Sequence, residues 1–192
     1  MNLLPRRYAV YRLLSQARRP APVADLTLAP FSAAEVDRYF GEQGRLAMEF
    51  HWFLEQGFLG VLMLDGPRWA GYGWITCRHS PAPPHLAPWI PRSCPDWLFY
   101  VHTRERYRGR GVQKAVMAAL TVIPERSGLV YGEVRIGNTP SRRAFLSLGF
   151  EPAGTLLRLQ LPIPILGARQ ICWWDRQAAH PPLFPFPREE AS

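Results

Sequence analysis

The chain has 192 residues, 47% hydrophobic and 12% aromatic, which excludes a disordered or fibrous protein and suits one soluble domain with a full core. Its formal net charge is +8, yet Lys114 is the sole lysine among 23 basic residues and the arginines run from Arg6 to Arg188. Such a balance admits an anionic small molecule, a membrane surface or nucleic acid as partner, but no nucleic-acid-binding signature is present.

Cys77, Cys94 and Cys172 are odd in number, far apart and without a C-x-x-C pair. Neither a disulfide framework nor a zinc site follows, so no metal is expected and a reducing, cytoplasmic setting is. No apolar run approaches the roughly 18 residues of a spanning helix, and the N-terminus lacks the apolar core of a signal peptide.

In chain order, residues 1–22 carry Arg6, Arg7, Arg12, Arg18 and Arg19 and no acid. They read as a basic N-terminal extension, a terminal helix packed on its own domain or on the second subunit of a homodimer. The alternative is a basic amphipathic helix on a membrane or an acidic partner. Ala24 to Ala29 alternates as a strand does, and Ser32 with Glu35 forms a capping box that starts a helix. A second helix spans Arg45 to Gln56 and stops at Gly57. Phe58 to Leu64 and Trp69 to Cys77 are two strands joined by the turn signal Asp65-Gly66-Pro67. His79 to Pro95 contains six prolines and cannot be regular structure.

Asp96 to Thr103 is a strand, and it feeds the loop Arg104 to Gly111. After the loop Val112, Ala115, Val116, Ala119, Leu120 and Ile123 form one helical stripe. Leu129 to Ile136 is the next strand. Asn138-Thr139-Pro140-Ser141 then opens a helix, with Thr139 as its cap, that closes at Gly149. Thr155 to Leu161 and Ala168 to Trp174 are the last two strands, and residues 177–192 form a proline-rich tail.

The chemistry concentrates at Val101 to Gln113, VHTRERYRGRGVQ. Arg106, Gly109 and Gly111 give R-x-x-G-x-G, with Arg108 and Arg110 between, immediately before a helix. Glycines let the backbone turn tightly, and the free N–H groups and dipole of the helix N-terminus favour an anion. There is no G-x-x-x-x-G-K-[ST], and the spacing is not the dinucleotide fingerprint. A second pattern follows at the end of the next strand, N-T-P-S-R-R-A-F-L-S-L-G-F, with Asn138, Ser141, Phe145, Gly149 and Phe150 at its marked positions.

Together the two patterns resemble the GCN5-related N-acetyltransferase (GNAT) family over about Ala24 to Trp174. The resemblance implies an α/β fold with one mixed sheet of about seven strands, about four helices, and a parallel pair, Asp96–Thr103 and Leu129–Ile136, that splays apart to hold acetyl-CoA. The family domain would occupy residues 23–176. Backbone groups around Tyr100, Val101, His102 and Thr103 would pair with the pantetheine arm. Amides of Arg106, Arg108, Gly109, Arg110, Gly111, Val112 and Gln113 would take the pyrophosphate, with Asn138, Ser141 and Phe145 bordering the cofactor. The implied activity is direct acetyl transfer to a primary amine of a small molecule or peptide.

Direct transfer needs a base for the amine proton and an acid for the leaving thiolate. Glu133, in G-E-V-R-I-G-N, resembles the glutamate of protein N-terminal acetyltransferases and is the first candidate base; Asp96 is the second. Tyr100 and His102 share the face of Asp96 by period two, so either can relay a proton. Family members often carry a tyrosine where this chain has Phe145, which has no proton to give. That departure leaves Tyr100, Tyr107 or water as the acid, or else a catalytically weak acyl-CoA-binding regulatory module. Cys94 and Cys172 lack a histidine-aspartate partner pattern for an acyl-enzyme route. The acceptor pocket falls to Phe50 to Phe53, the His79 to Pro95 loop, and Trp173 with Trp174.

Overall fold

The computed structural model describes residues 6–14, 17–77, 80–82, 96–123, 129–163 and 167–177, with the side chains of 160–163 and 167–172 outside that description. Among these residues the elements run β1 (Arg6–Leu13), β2 (Thr27–Pro30), α1 (Ala33–Phe40), α2 (Arg45–Glu55), β3 (Leu59–Asp65), β4 (Arg68–Ile75), β5 (Asp96–Thr103), α3 (Val112–Leu120), β6 (Val130–Arg135), α4 (Thr139–Ser147), β7 (Glu151–Ile163) and β8 (Gly167–Asp175). The strands form one sheet in the order β2-β3-β4-β5-β6-β1-β7-β8. Neighbours are antiparallel except β5 and β6, which run parallel.

The mixed α/β architecture with four α-helices and one parallel pair is the expected one, with an eighth strand added. That strand is β1, and it overturns the expectation of an N-terminal helix. Tyr8, Ala9 and Val10 pair with Arg135, Val134 and Glu133 on one side, and Arg7, Tyr8 and Ala9 pair with Leu157, Leu156 and Thr155 on the other. The physical reason lies in Tyr8-Ala9-Val10-Tyr11, a β-branched and aromatic run that is buried from Ala9 to Tyr11. Arginines at its ends reach the sheet margins, where Arg12 meets Glu151 at 3.8 Å. Charge at the ends of the segment outweighed its aromatic centre in the sequence reading.

Helices cover both faces. On one, α3 lies on β4 so closely that a Cβ on Gly71 would stand 2.6 Å from Val112 Cγ1, and one on Gly73 2.9 Å from Val116 Cγ1. α4 lies on β6, where a Cβ on Gly132 would stand 2.7 Å from Cε1 and Cζ of Phe145. The opposite face carries α1 and α2 over an aromatic core. Phe31 stacks on Trp74 at 4.5 Å, and Phe40, Phe50, Phe53 and Tyr72 surround them edge-on or tilted. Ser32 caps α1, its hydroxyl accepting from the Glu35 amide and donating to the Glu35 carboxylate.

Candidate active site

β5 and β6 pair over only three positions, Asp96 with Val130, Trp97 with Tyr131 and Leu98 with Gly132. Beyond Leu98 the strands diverge, since β5 continues beside β4 to Thr103 while β6 continues beside β1 to Arg135. One edge of β5 from Tyr100 onward is thereby left without a strand partner, a row of backbone donors and acceptors suited to an extended ligand.

A cavity of about 850 Å³ lies on the α3/α4 side of this opening. It gathers Val101, His102 and Thr103 of β5, then Arg108, Gly109, Gly111, Val112 and Gln113 of the loop and α3, and Asn138 and Ser141 of α4. Gly109 and Gly111 sit at φ 77° and 87°, the left-handed region that glycine enters without strain, and this fold of the loop aims the start of α3 at the cavity. The first intrahelical bond of α3 runs from the Ala115 amide to the Gly111 carbonyl, so the N–H groups of Val112, Gln113 and Lys114 have no partner within the helix. Arg108 is different: its amide donates to the Glu105 carbonyl at 3.0 Å, which takes it out of the expected set of anion donors.

Two expected cofactor arginines have other neighbours. The Arg106 guanidinium lies over the Tyr107 ring at 4.7 Å and donates to its hydroxyl at 3.0 Å, and Arg110 approaches the same ring at 5.5 Å. Tyr107 donates to Asp65 at 2.5 Å, so this group holds the loop to the β3–β4 turn. Lys114 and Arg143, which the motif reading did not single out, line the cavity and supply its side-chain cations with Arg108. Their signal is helical position alone: Lys114 is in the first turn of α3 and Arg143 one turn into α4.

α4 is capped by Asn138, not Thr139. The Asn138 Oδ1 accepts from the Ser141 amide at 3.2 Å, and the Ser141 hydroxyl accepts from Gln113 Nε2 at 2.8 Å, which ties α4 to α3 across the cavity. Asparagine caps a helix as well as threonine does and keeps its amide N–H₂ for a ligand. Phe145 does not line the cavity. It is buried in the core, 4% exposed, stacked on Tyr11 at 4.9 Å and edge-on to Phe150.

The opposite side of the opening is aromatic and acidic. Tyr100 has φ 53°, a left-handed conformation uncommon outside glycine, and Tyr100 and Val101 together face Gly73 where the β4–β5 register shifts. This bulge breaks the period of two. Phe99 and Tyr100 both contact Phe53 on the α2 side, at 5.3 and 5.5 Å, while Leu98 belongs to the core under α3 and α4. Asp96, two residues before Leu98 in regular strand, falls on Leu98's side, so Tyr100 and His102 do not share its face. Asp96 is also buried, at the end of β5 away from the cavity.

Glu133 does face the α2 side, since its neighbours Gly132 and Val134 pack with Phe145 in the other core. Its carboxylate accepts from the Trp97 indole N–H. Trp97 stacks on Tyr131 at 5.5 Å, and Trp174 meets both rings edge-on, at 5.7 and 5.3 Å. Trp174 therefore lies on the same side as Trp97 and Tyr131, while Trp173 is 70% exposed. The sequence reading missed Glu49 of α2, whose carboxylate accepts from the Tyr100 hydroxyl at 2.7 Å. Burial and this bond push the Tyr100 phenol up to about 12. The His102 imidazole, stacked on Tyr72 at 5.4 Å, is shifted down by burial and by Arg108 and Arg104. Most of the His79 to Pro95 loop, Cys94, the Cys172 side chain and the tail from residue 178 lie outside the described residues.

The FR47-like protein family model matches residues 77–159, the stretch that holds the bulged strand, the glycine loop and α4. In this stretch and in its fold the chain is similar to the GNAT family. Among solved structures, its GNAT fold is similar to a GNAT-family protein from Novosphingobium aromaticivorans, with 12% identity, a TM-score of 0.54, and coverage of 81% of this chain and 63% of that one. A GCN5-related N-acetyltransferase-like protein from Streptococcus suis gives 15%, 0.52, 79% and 60% by the same measures. For a GCN5-related N-acetyltransferase from Kribbella flavida the values are 16%, 0.50, 78% and 55%. The chain thus spans less than two thirds of the length of these GNAT relatives. No curated protein matches the sequence.

Proposed function

We propose that the protein transfers an acetyl group from acetyl-CoA directly to a primary amine. The observation that carries this reading is the one cavity bounded by the unpaired edge of β5, the glycine loop and the linked helix starts of α3 and α4. Its chemistry fits the donor. At the phosphate end stand free helix N–H groups with Arg108, Lys114 and Arg143; along the arm runs a free strand edge, where the Thr103 hydroxyl is buried with no protein partner. A volume near 850 Å³ lies within the range of ligand sites.

Acetyl-CoA supplies an activated acyl group, and the protein's own residues provide position and proton handling. Val101 to Thr103 orient the arm, and the amides of Val112 to Lys114 fix the pyrophosphate. Glu133, held by Trp97, takes the proton of an amine that enters from the aromatic side. Tyr100 is a poor acid for the thiolate, because its proton is committed to Glu49 and its phenol titrates near 12. Tyr107 is likewise committed to Asp65. A water molecule is then the proton source, which a CoA thiolate tolerates as a leaving group near neutral pH. We place this activity in the cytoplasm, in keeping with the free thiol of Cys77. Among the described residues, no helix is long and apolar enough to cross a membrane.

Calorimetric titration with acetyl-CoA and CoA, followed by thiol release across a panel of amines, tests the reading. No binding and no stabilisation by CoA would overturn it. Phe145, packed away from the cavity, favours a second reading, a weakly catalytic acyl-CoA-binding regulator. That reading predicts binding without turnover on any amine.

A further inference from the structure

The aromatic side of the opening contains a group that the transfer chemistry does not use. Glu49 is half-buried on α2, in the row that also carries Phe50 and Phe53, and it accepts the hydroxyl of Tyr100. Tyr100 is 42% exposed despite its position in the middle of β5 and its left-handed backbone. Non-glycine residues in that conformation cost free energy and persist where the surroundings impose them, commonly at functional sites. The ring stands edge-on to Phe50 at 6.1 Å and to Phe53 at 5.5 Å, and stacks along Tyr72 at 6.2 Å.

The hydrogen bond fixes the polarity of this surface. With its only proton given to Glu49 Oε2, the Tyr100 oxygen presents lone pairs alone. The second oxygen of Glu49 is an acceptor too. Two acceptors at the exposed Tyr100 ring, which rests on the buried rings of Phe50, Phe53 and Tyr72, favour a ligand group that donates and carries positive charge; Arg45, one turn before Glu49 on α2, is a neighbouring cation whose charge also acts on Tyr100. Tyr100 lies two residues past Leu98 and Glu133 one past Gly132, the last paired positions of the splayed strands, and both face the α2 side.

We infer that Glu49 and Tyr100 form an acceptor subsite for a cationic, hydrogen-bond-donating group, so that the preferred amine carries a second ammonium-like centre a few bonds from the nitrogen that is acetylated. The inference rests on the acetyltransferase reading for where the acceptor enters, while the subsite itself is defined by this pair and its aromatic floor.

The two readings are separable with a ligand that cannot be acetylated on nitrogen. Choline carries a fixed cation and a hydroxyl, and 3,3-dimethylbutan-1-ol is its neutral isostere. Calorimetric titrations of the full chain, with and without CoA, are expected to show choline binding at least tenfold more tightly than the isostere. Glu49→Gln removes that preference, and Tyr100→Phe weakens choline threefold or more. Thermal melts confirm that each variant is folded, and if Glu49→Gln is not, Tyr100→Phe carries the test. Equal affinities, no choline binding at 50 mM, or a preference that survives Glu49→Gln would overturn the subsite. Failure of every amine to release thiol would instead strike the transfer reading and leave the choline result standing.

Discussion

The Trp97 indole N–H donates to the Glu133 carboxylate, from the strand that leads to the glycine loop to the strand that leads to α4. The donor is 1% exposed and stacked on Tyr131, so its direction is set by packing. A hydrogen bond to the charged form favours that form. Trp97→Phe keeps a ring but removes the donor that orients the carboxylate, and kcat/KM for the amine is expected to fall with CoA affinity unchanged. Glu133→Gln should lower kcat by about 10²- to 10⁴-fold. An unchanged kcat in Glu133→Gln would show that Glu133 is not the base.

The glycine loop makes a conformational prediction. A Cβ at Gly109 meets nothing within 4 Å, so its positive φ alone is at stake. Gly109→Ala should cost about 1 kcal/mol of stability by displacing the backbone from the left-handed region. CoA affinity should fall more steeply than stability, since the amides that follow are re-aimed. Paired denaturation and calorimetry curves separate the two effects.

Charge on the cavity wall should show as salt dependence. Lys114→Ala and Arg143→Ala are each expected to weaken CoA binding several-fold at low ionic strength, with the gap narrowing near 0.5 M salt, where screening lengths fall below ~5 Å. Arg6→Ala, remote on β1, serves as the control for general loss of positive charge.

Phe145 separates packing from chemistry. Phe145→Ala should destabilise the protein by about 3–5 kcal/mol, because it empties the space between Tyr11, Phe150 and Gly132. In Phe145→Tyr the hydroxyl extends from Cζ toward Gly132, at the base of the splay. The free protein is expected to lose about 1–3 kcal/mol through an unsatisfied buried hydroxyl. If the thioester sulfur lies there, kcat rises. Thermal melts with and without acetyl-CoA, with thiol release, read both outcomes.

His102 predicts a pH dependence of stability. Its folded-state pKa is lowered, mainly by burial, so the unfolded chain binds the proton more readily. Stability is therefore fully present above the unfolded value of about 6.5 and is lost as pH falls from there through the folded value. His102→Gln should flatten the fall in melting temperature across that window. An unchanged slope would assign the acid sensitivity to other groups.

Much of this was legible from residue order. The hairpin at Gly66-Pro67, the Ser32 cap and the α3 stripe are local, and local chemistry decided them. Three features were not. β1 was hidden because its partners lie across most of the chain, and no neighbouring residue signals them. The bulge at Tyr100 shifts which side chains share a face, and strict alternation cannot anticipate it. Glu49 reads as an ordinary helical acid until the fold sets it beside Tyr100. In each case a long-range contact overrode a sound local expectation.

The position of β1 carries a consequence for how the molecule is made. This strand joins β6 to β7, so the portion of the sheet from β2 to β6 and the β7–β8 hairpin meet through it. It is synthesised before both of its neighbours, and neither exists until the ribosome has passed residue 130. Non-local pairing of this kind slows folding. During translation both flanks of β1 stay open until β6 and β7 emerge, and β6 is the strand that bears Glu133. The wall that bears Glu133 is therefore among the last parts to close, and an early stop or loss of β1 would leave the glycine loop formed on a sheet cut in two.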